Sequence, residues 1–115
     1  SREEMKSILP SLKEKNRYVA FEIISERKFP LVMAEKSINE NVLSFLGELG
    51  LAKSGFIFLK DTYKANKGVI KTNVKNLDEV KMALSLIKDI NKEKAVVNVT
   101  KVSGILNKTK LVKGE

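Results

Sequence analysis

Hydrophobic positions along the chain switch between a period of two and a period near 3.6, and the switches outline the fold. In residues 17–25 (RYVAFEIIS), Val19, Phe21 and Ile23 alternate with Tyr18, Ala20 and Glu22, which predicts a strand. Residues 26–30 form a loop, and residues 31–34 are apolar without a clear period. Ser37, Ile38, Asn39 and Glu40 have the form of a capping box. In that pattern the hydroxyl accepts from the amide three residues on, and the carboxylate reaches back to the first amide. Ile38, Val42, Phe45, Leu46 and Leu49 then recur at helical spacing, and Gly50 suits a left-handed cap, so a helix is expected over residues 38–49. Residues 55–63 predict a second strand, residues 64–68 (KANKG) a turn, and residues 69–75 a third strand. That third strand puts Ile70, Thr72 and Val74 on one face and Val69, Lys71 and Asn73 on the other. Asn76 and Glu79 repeat the capping pattern before Val80, Ala83, Leu84 and Ile87, the stripe of a second helix expected to run to Ile90. Residues 91–94 turn the chain into a fourth strand over residues 95–102.

Strand, helix, strand, strand, helix, strand is the order of an α+β, ferredoxin-like split β-α-β fold. Right-handed crossovers put both helices on one face of a four-stranded antiparallel sheet, a topology shared with the RNA-recognition motif. Residues 1–16 are expected to form a short N-terminal arm, residues 17–102 the domain, and residues 103–115 a basic tail. The second strand is apolar on both faces, with Phe56 and Phe58 alternating with Ile57 and Leu59. A strand of that kind needs cover on both sides. Phe56 and Phe58 are therefore expected at a protein interface, with a second copy of the chain or another subunit; otherwise the tail after Ser103 folds back over the open face.

Charge changes the picture. There are 22 Lys and Arg against 14 Asp and Glu, a net charge of +8. Between Lys53 and Lys75, six lysines face one acid, Asp61, so this hairpin region carries +5 of the total. A basic domain of this kind suits a polyanion, since each neutralised phosphate releases counterions. The chain has no His and no Cys, which removes the commonest general base, the commonest metal ligand and any disulfide. Arg27 and Lys28 could cradle an anion, but no Gly-rich phosphate loop and no nucleophile–base pair accompany them. Asp61, Asp78, Glu79 and Asp89 are scattered, and a helix dipole accounts for Asp78 and Glu79. No intrinsic catalysis and no bound cofactor or metal are expected. The third strand offers no outward aromatic and the first offers only Tyr18, whose plainer role is a partly buried sheet residue. RNA would then be held by lysine–phosphate contacts and by shape. The candidate RNA-binding residues are Lys13, Lys15, Arg17, Lys64, Lys67, Lys71, Lys101, Lys108 and Lys110. No apolar run reaches the roughly 20 residues that span a bilayer, and the charged start lacks a signal core, so a cytoplasmic protein without a membrane partner is expected. A ferredoxin-like regulatory or dimerisation module without RNA affinity is the alternative.

Four blocks in order resemble one family. They are residues 9–23 (LPSLKEKNRYVAFEI), residues 45–50 (FLGELG), residues 66–70 (NKGVI) and residues 102–106 (VSGIL), with Ile105 where the family usually has Thr. The chain resembles the archaeal protein subunit of ribonuclease P whose eukaryotic relatives serve ribonuclease P and the mitochondrial-RNA-processing ribonuclease. The resemblance implies a ferredoxin-like fold and a non-catalytic role. It implies that the partner RNA, with magnesium, removes the 5′ leader from precursor tRNA. It also implies a second, TIM-barrel-like protein subunit as partner.

Overall fold

The structure, a computed structural model, describes residues 15–106. Strand β1 (Asn16–Ile24) leads to helix α1 (Leu31–Ser54), then to the hairpin of β2 (Ile57–Lys64) and β3 (Lys67–Asn73). A 3-10 turn (Val74–Asn76) enters helix α2 (Leu77–Ser85), and two short strands, β4 (Asp89–Ile90) and β5 (Glu93–Lys94), precede β6 (Val96–Ser103). The main sheet has the order β2-β3-β1-β6, with every neighbouring pair antiparallel, and β4 and β5 form a separate ribbon. This is the ferredoxin-like arrangement that the alternation of periods predicts. Val19, Phe21, Ile23, Phe58 and Ile70 meet Ala34, Ile38, Val42, Val80, Ala83 and Leu84 in one core between sheet and helices. Aromatic contacts order its centre, with Phe21 5.7 Å from Phe58 and Phe58 5.9 Å from Tyr63 between ring centroids.

The first helix departs from expectation at both ends. It starts at Leu31, seven residues before the capping-box estimate, because Pro30 supplies extended backbone (φ −67°, ψ 158°) and its carbonyl accepts from the Ala34 amide at 3.0 Å. Ala34, Ile38 and Val42 are buried, so the irregular stretch after Pro30 belongs to the helical stripe. Ser37 is inside the helix and caps nothing; its Oγ accepts from the Asn91 amide at 3.3 Å and ties the β4–β5 ribbon to α1. Gly50 does not end the helix. Gly47 (φ 74°, ψ 171°) interrupts it, and Gly55 (φ 64°) closes it in the left-handed conformation.

The second helix is shorter than its stripe. It ends at Ser85, and the buried Ile87 and Ile90 belong to the following loop and ribbon. Asn91 and Lys92 (φ 50° and 70°) make the ribbon's tight turn. The cap lies one turn earlier than expected: the Asn73 side chain accepts from the Asn76 amide at 2.9 Å, while Asn76 makes no side-chain cap bond. Asn73 also donates to the Lys53 carbonyl at 2.6 Å, and Thr72 donates to the Ser54 carbonyl at 2.9 Å. These two bonds fix the end of α1 to the end of β3. No helix among the described residues is long and apolar enough to cross a membrane.

Candidate nucleic-acid interface

The β2–β3 hairpin turns on Ala65 and Asn66, both at positive φ (48° and 69°). Asn66 is fully buried despite lying in a turn. Its amide nitrogen donates to the carbonyls of Arg27 (2.7 Å) and Ile23 (3.2 Å), and its Oδ1 accepts from the Phe29 amide at 2.8 Å. The Tyr63 hydroxyl completes the latch by donating to the Phe29 carbonyl at 2.7 Å. The hairpin tip is thus held rigidly against the loop after β1, and the lysines beside it project from a fixed base. Between Leu59 and Lys64 the β2–β3 pairing slips. Thr62 fills the gap, its hydroxyl accepting from the Val69 amide at 2.9 Å and donating to the Leu59 carbonyl at 2.6 Å.

Residues directly opposed in an antiparallel pair share a face. The register therefore assembles the surface away from the helices. Lys64 opposes Lys67, Lys67 opposes Glu22, and Glu22 opposes Asn98. The next row holds Leu59, Val69, Ala20 and Lys101, and the last holds Ile57, Lys71, Tyr18 and Ser103. Four candidate cations, Lys64, Lys67, Lys71 and Lys101, so share one sheet face with Tyr18, with Glu22 opposite Lys67. Lys15 and Arg17 stand at the start of β1; Arg17 donates to the Asn16 carbonyl at 2.9 Å and lies beside Gly104. Lys60 is drawn to the helix side, 3.6 Å from Glu35. Lys13, Lys108 and Lys110 lie outside the described residues.

The interface expectation for the second strand needs correction. Phe58 is 5% exposed and belongs to the core, and Phe56 is half-buried against the same core. Both line the floor of a groove of about 420 Å³ between α1 and the β2 edge, where Ile57, 48% exposed, is the outward apolar residue. Nor is the sheet face bare. Leu106 packs on Ala20 and Val69 together with Tyr18 and Leu59, so the chain turns back over this face through Leu106, and the rest of the expected tail lies outside the described residues. A second apolar surface lies on the helix layer: Phe45 and Leu49, read from spacing as part of the first helix's stripe, are exposed with Met82 and Leu86, and a groove lined by Phe45, Met82 and Leu86 runs between α1 and α2. Gly47 breaks the helical phase ahead of Leu49, and in and just after α2 Met82 and Leu86 are the extra apolar positions flanking the stripe. Among the described residues no group of three metal-ligating side chains converges.

A profile of the Rpp14/Pop5 family matches residues 17–112. "Ribonuclease P protein component 2" of Thermococcus gammatolerans is 38% identical over 109 residues, covering 95% of this chain and 91% of its own length. Proteins of the same name from Pyrococcus furiosus and Archaeoglobus fulgidus are 35% and 30% identical, covering 94% and 92% of this chain and 90% and 94% of their own lengths. Among solved structures, a chain of yeast ribonuclease MRP superposes with a TM-score of 0.66 at 14% identity, over 82% of this chain and 79% of that one. That likeness is one of fold.

Proposed function

We propose a function from the premise the family match supplies: the chain belongs to the Rpp14/Pop5 family, and it acts as a protein subunit of ribonuclease P. In this reading it binds the catalytic RNA of the complex and supports removal of the 5′ leader from precursor tRNA in the cytoplasm. The observation that carries the reading is a set of archaeal relatives named as ribonuclease P protein components, which align over nearly the whole chain. The sheet face agrees with it. Four lysines on a rigid sheet can replace diffuse counterions along folded RNA, which lowers the repulsion between its packed helices. The chain has no His or Cys, and no carboxylate cluster converges among the described residues, so hydrolysis is assigned to the partner RNA with its magnesium. The exposed apolar residues of the helix layer, Leu49 and Met82 foremost, suit a second protein subunit of the complex, proposed to be TIM-barrel-like.

The test is the salt dependence of binding to a ribonuclease P RNA. Changing Lys64, Lys67 and Lys71 together to Ala should flatten the log–log salt slope by roughly 0.7 to 0.9 for each phosphate left without its lysine. An unchanged slope would remove the sheet face as the RNA surface. A wild-type chain with no affinity for structured RNA would remove the reading itself and favour a regulatory or dimerisation module.

A further inference from the structure

Ala20 and Val69 oppose each other in the middle row of the sheet, on the face away from both helices, yet both are buried. Among the described residues their cover is Tyr18, Leu59 and Leu106. Leu106 reaches them because the chain reverses after β6. The Ser103 hydroxyl donates to the Ile105 carbonyl at 2.8 Å and accepts from the Ile105 amide at 3.1 Å, a side-chain turn that sends Ile105 outward and Leu106 back across the sheet. Beneath Leu106 is a flat floor of two small aliphatic side chains beside a tyrosine. Around it stand Lys71, opposite Tyr18, and Lys101, opposite Ala20; Lys67 and Glu22 oppose each other in the next row.

A flat apolar floor, one aromatic ring and flanking cations are what an unstacked nucleobase and its phosphates need. We propose that Tyr18, Ala20 and Val69 form a stacking subsite for one nucleobase of single-stranded RNA, and that Leu106 occupies this subsite until the base displaces it. The inference rests on the RNA-binding reading above and adds a second mode to it. Phosphate contacts act on any folded RNA, whereas the subsite acts only where a base is unpaired. A leucine beyond the last strand is suited to this exchange, since releasing it leaves the core between sheet and helices intact. While Leu106 is docked only a fraction of molecules is open, and the apparent affinity for an unpaired base is lowered by that fraction.

The experiment compares two probes: a short uridine-rich single strand carrying one 2-aminopurine, whose fluorescence falls on stacking, and a fully paired RNA duplex. Leu106→Ser should raise affinity for the single strand by about five-fold and deepen the fluorescence loss, because the open fraction rises. Adding Tyr18→Ala should reverse both effects, and Tyr18→Phe should retain them. Duplex affinity should stay unchanged across the series. In the wild-type chain, the Leu106 methyl resonances should move to solvent-exposed positions on adding the single strand and stay fixed on adding the duplex. Single-strand affinity that is unchanged or lower in a folded Leu106→Ser chain would overturn the subsite while leaving the RNA reading in place. Should that variant not fold, methyl resonances unmoved by the single strand at saturation would overturn it equally. Absence of duplex and single-strand binding in the wild type would instead overturn the reading on which the subsite rests.

Discussion

Asn66, buried in a hairpin turn, satisfies the Arg27 carbonyl and the Phe29 amide of the loop after β1, and also donates to the Ile23 carbonyl near the end of that strand. Asn66→Ala should strand these groups and cost about 3 kcal/mol, measured as a shift in the denaturant midpoint. Asn66→Gly separates the causes: it relaxes the positive φ but also loses the side chain, so a comparable cost would assign the effect to the hydrogen bonds. Tyr63, bonded to the same loop, adds a dependence on pH. Burial pushes its phenol above the ordinary 10.0, with the hydrogen bond to the Asn66 backbone opposing in part. The unfolded chain therefore ionises before the folded one, and this contribution is complete below pH 10.0 and lost as pH rises through the folded value. Tyr63→Phe should cost about 1 kcal/mol near neutrality through the missing bond to the Phe29 carbonyl. It should also lose less stability than wild type as pH rises above 10.0, read from urea midpoints.

At the scale of elements, the strands were legible because period two over seven or more residues is hard to produce otherwise, and β1, β3 and β6 lie within two residues of their predicted bounds. The helices were less so. Ser37 and Glu40 imitate a cap inside α1, and the true start at Pro30 leaves only a proline as its mark. Ile87 and Ile90 continue the α2 stripe by spacing, but they are buried through the β4–β5 ribbon, whose tight turn lies at Asn91 and Lys92. The face assignment in β2 depends on where the helices sit, and composition alone could not decide between Phe58 and Ile57. The structure decides it, with a measurable consequence. Phe58→Glu places a carboxylate between Phe21 and Tyr63 and should abolish the folded state, whereas Ile57→Glu should leave circular dichroism and thermal midpoint near wild type. Equal tolerance of both changes would show that Phe58 is not in the core. Gly68 belongs to the same packing problem: a methyl there would lie 3.0 Å from the Phe21 ring and 3.1 Å from Tyr63, which explains a glycine in the third strand.

For the whole molecule, one sheet divides two kinds of surface: a helix layer with exposed apolar residues, and an opposite face carrying lysines, one tyrosine and the returning segment after β6. The sequence located the charge but not its sidedness, because which lysines share a face depends on register and on the bulge in β2. A molecule built this way suits a scaffold between protein and RNA, and its charge should matter most when divalent ions are scarce. Packed RNA helices need counterions, and fixed lysines supply some of them without the entropy cost of localising free ions. With its partner subunit and the cognate RNA, the wild-type chain should therefore lower the magnesium concentration needed for half-maximal cleavage of precursor tRNA. The chain changed to Ala at Lys64, Lys67 and Lys71 should shift that midpoint back toward the value for RNA alone, and saturating magnesium should restore its rate. A deficit that persists at saturating magnesium would assign these lysines to positioning of the substrate and not to charge screening. The protein without RNA should cleave nothing at any magnesium concentration; RNA-free cleavage abolished by Asp61→Asn would place the chemistry on this chain and overturn the subunit role.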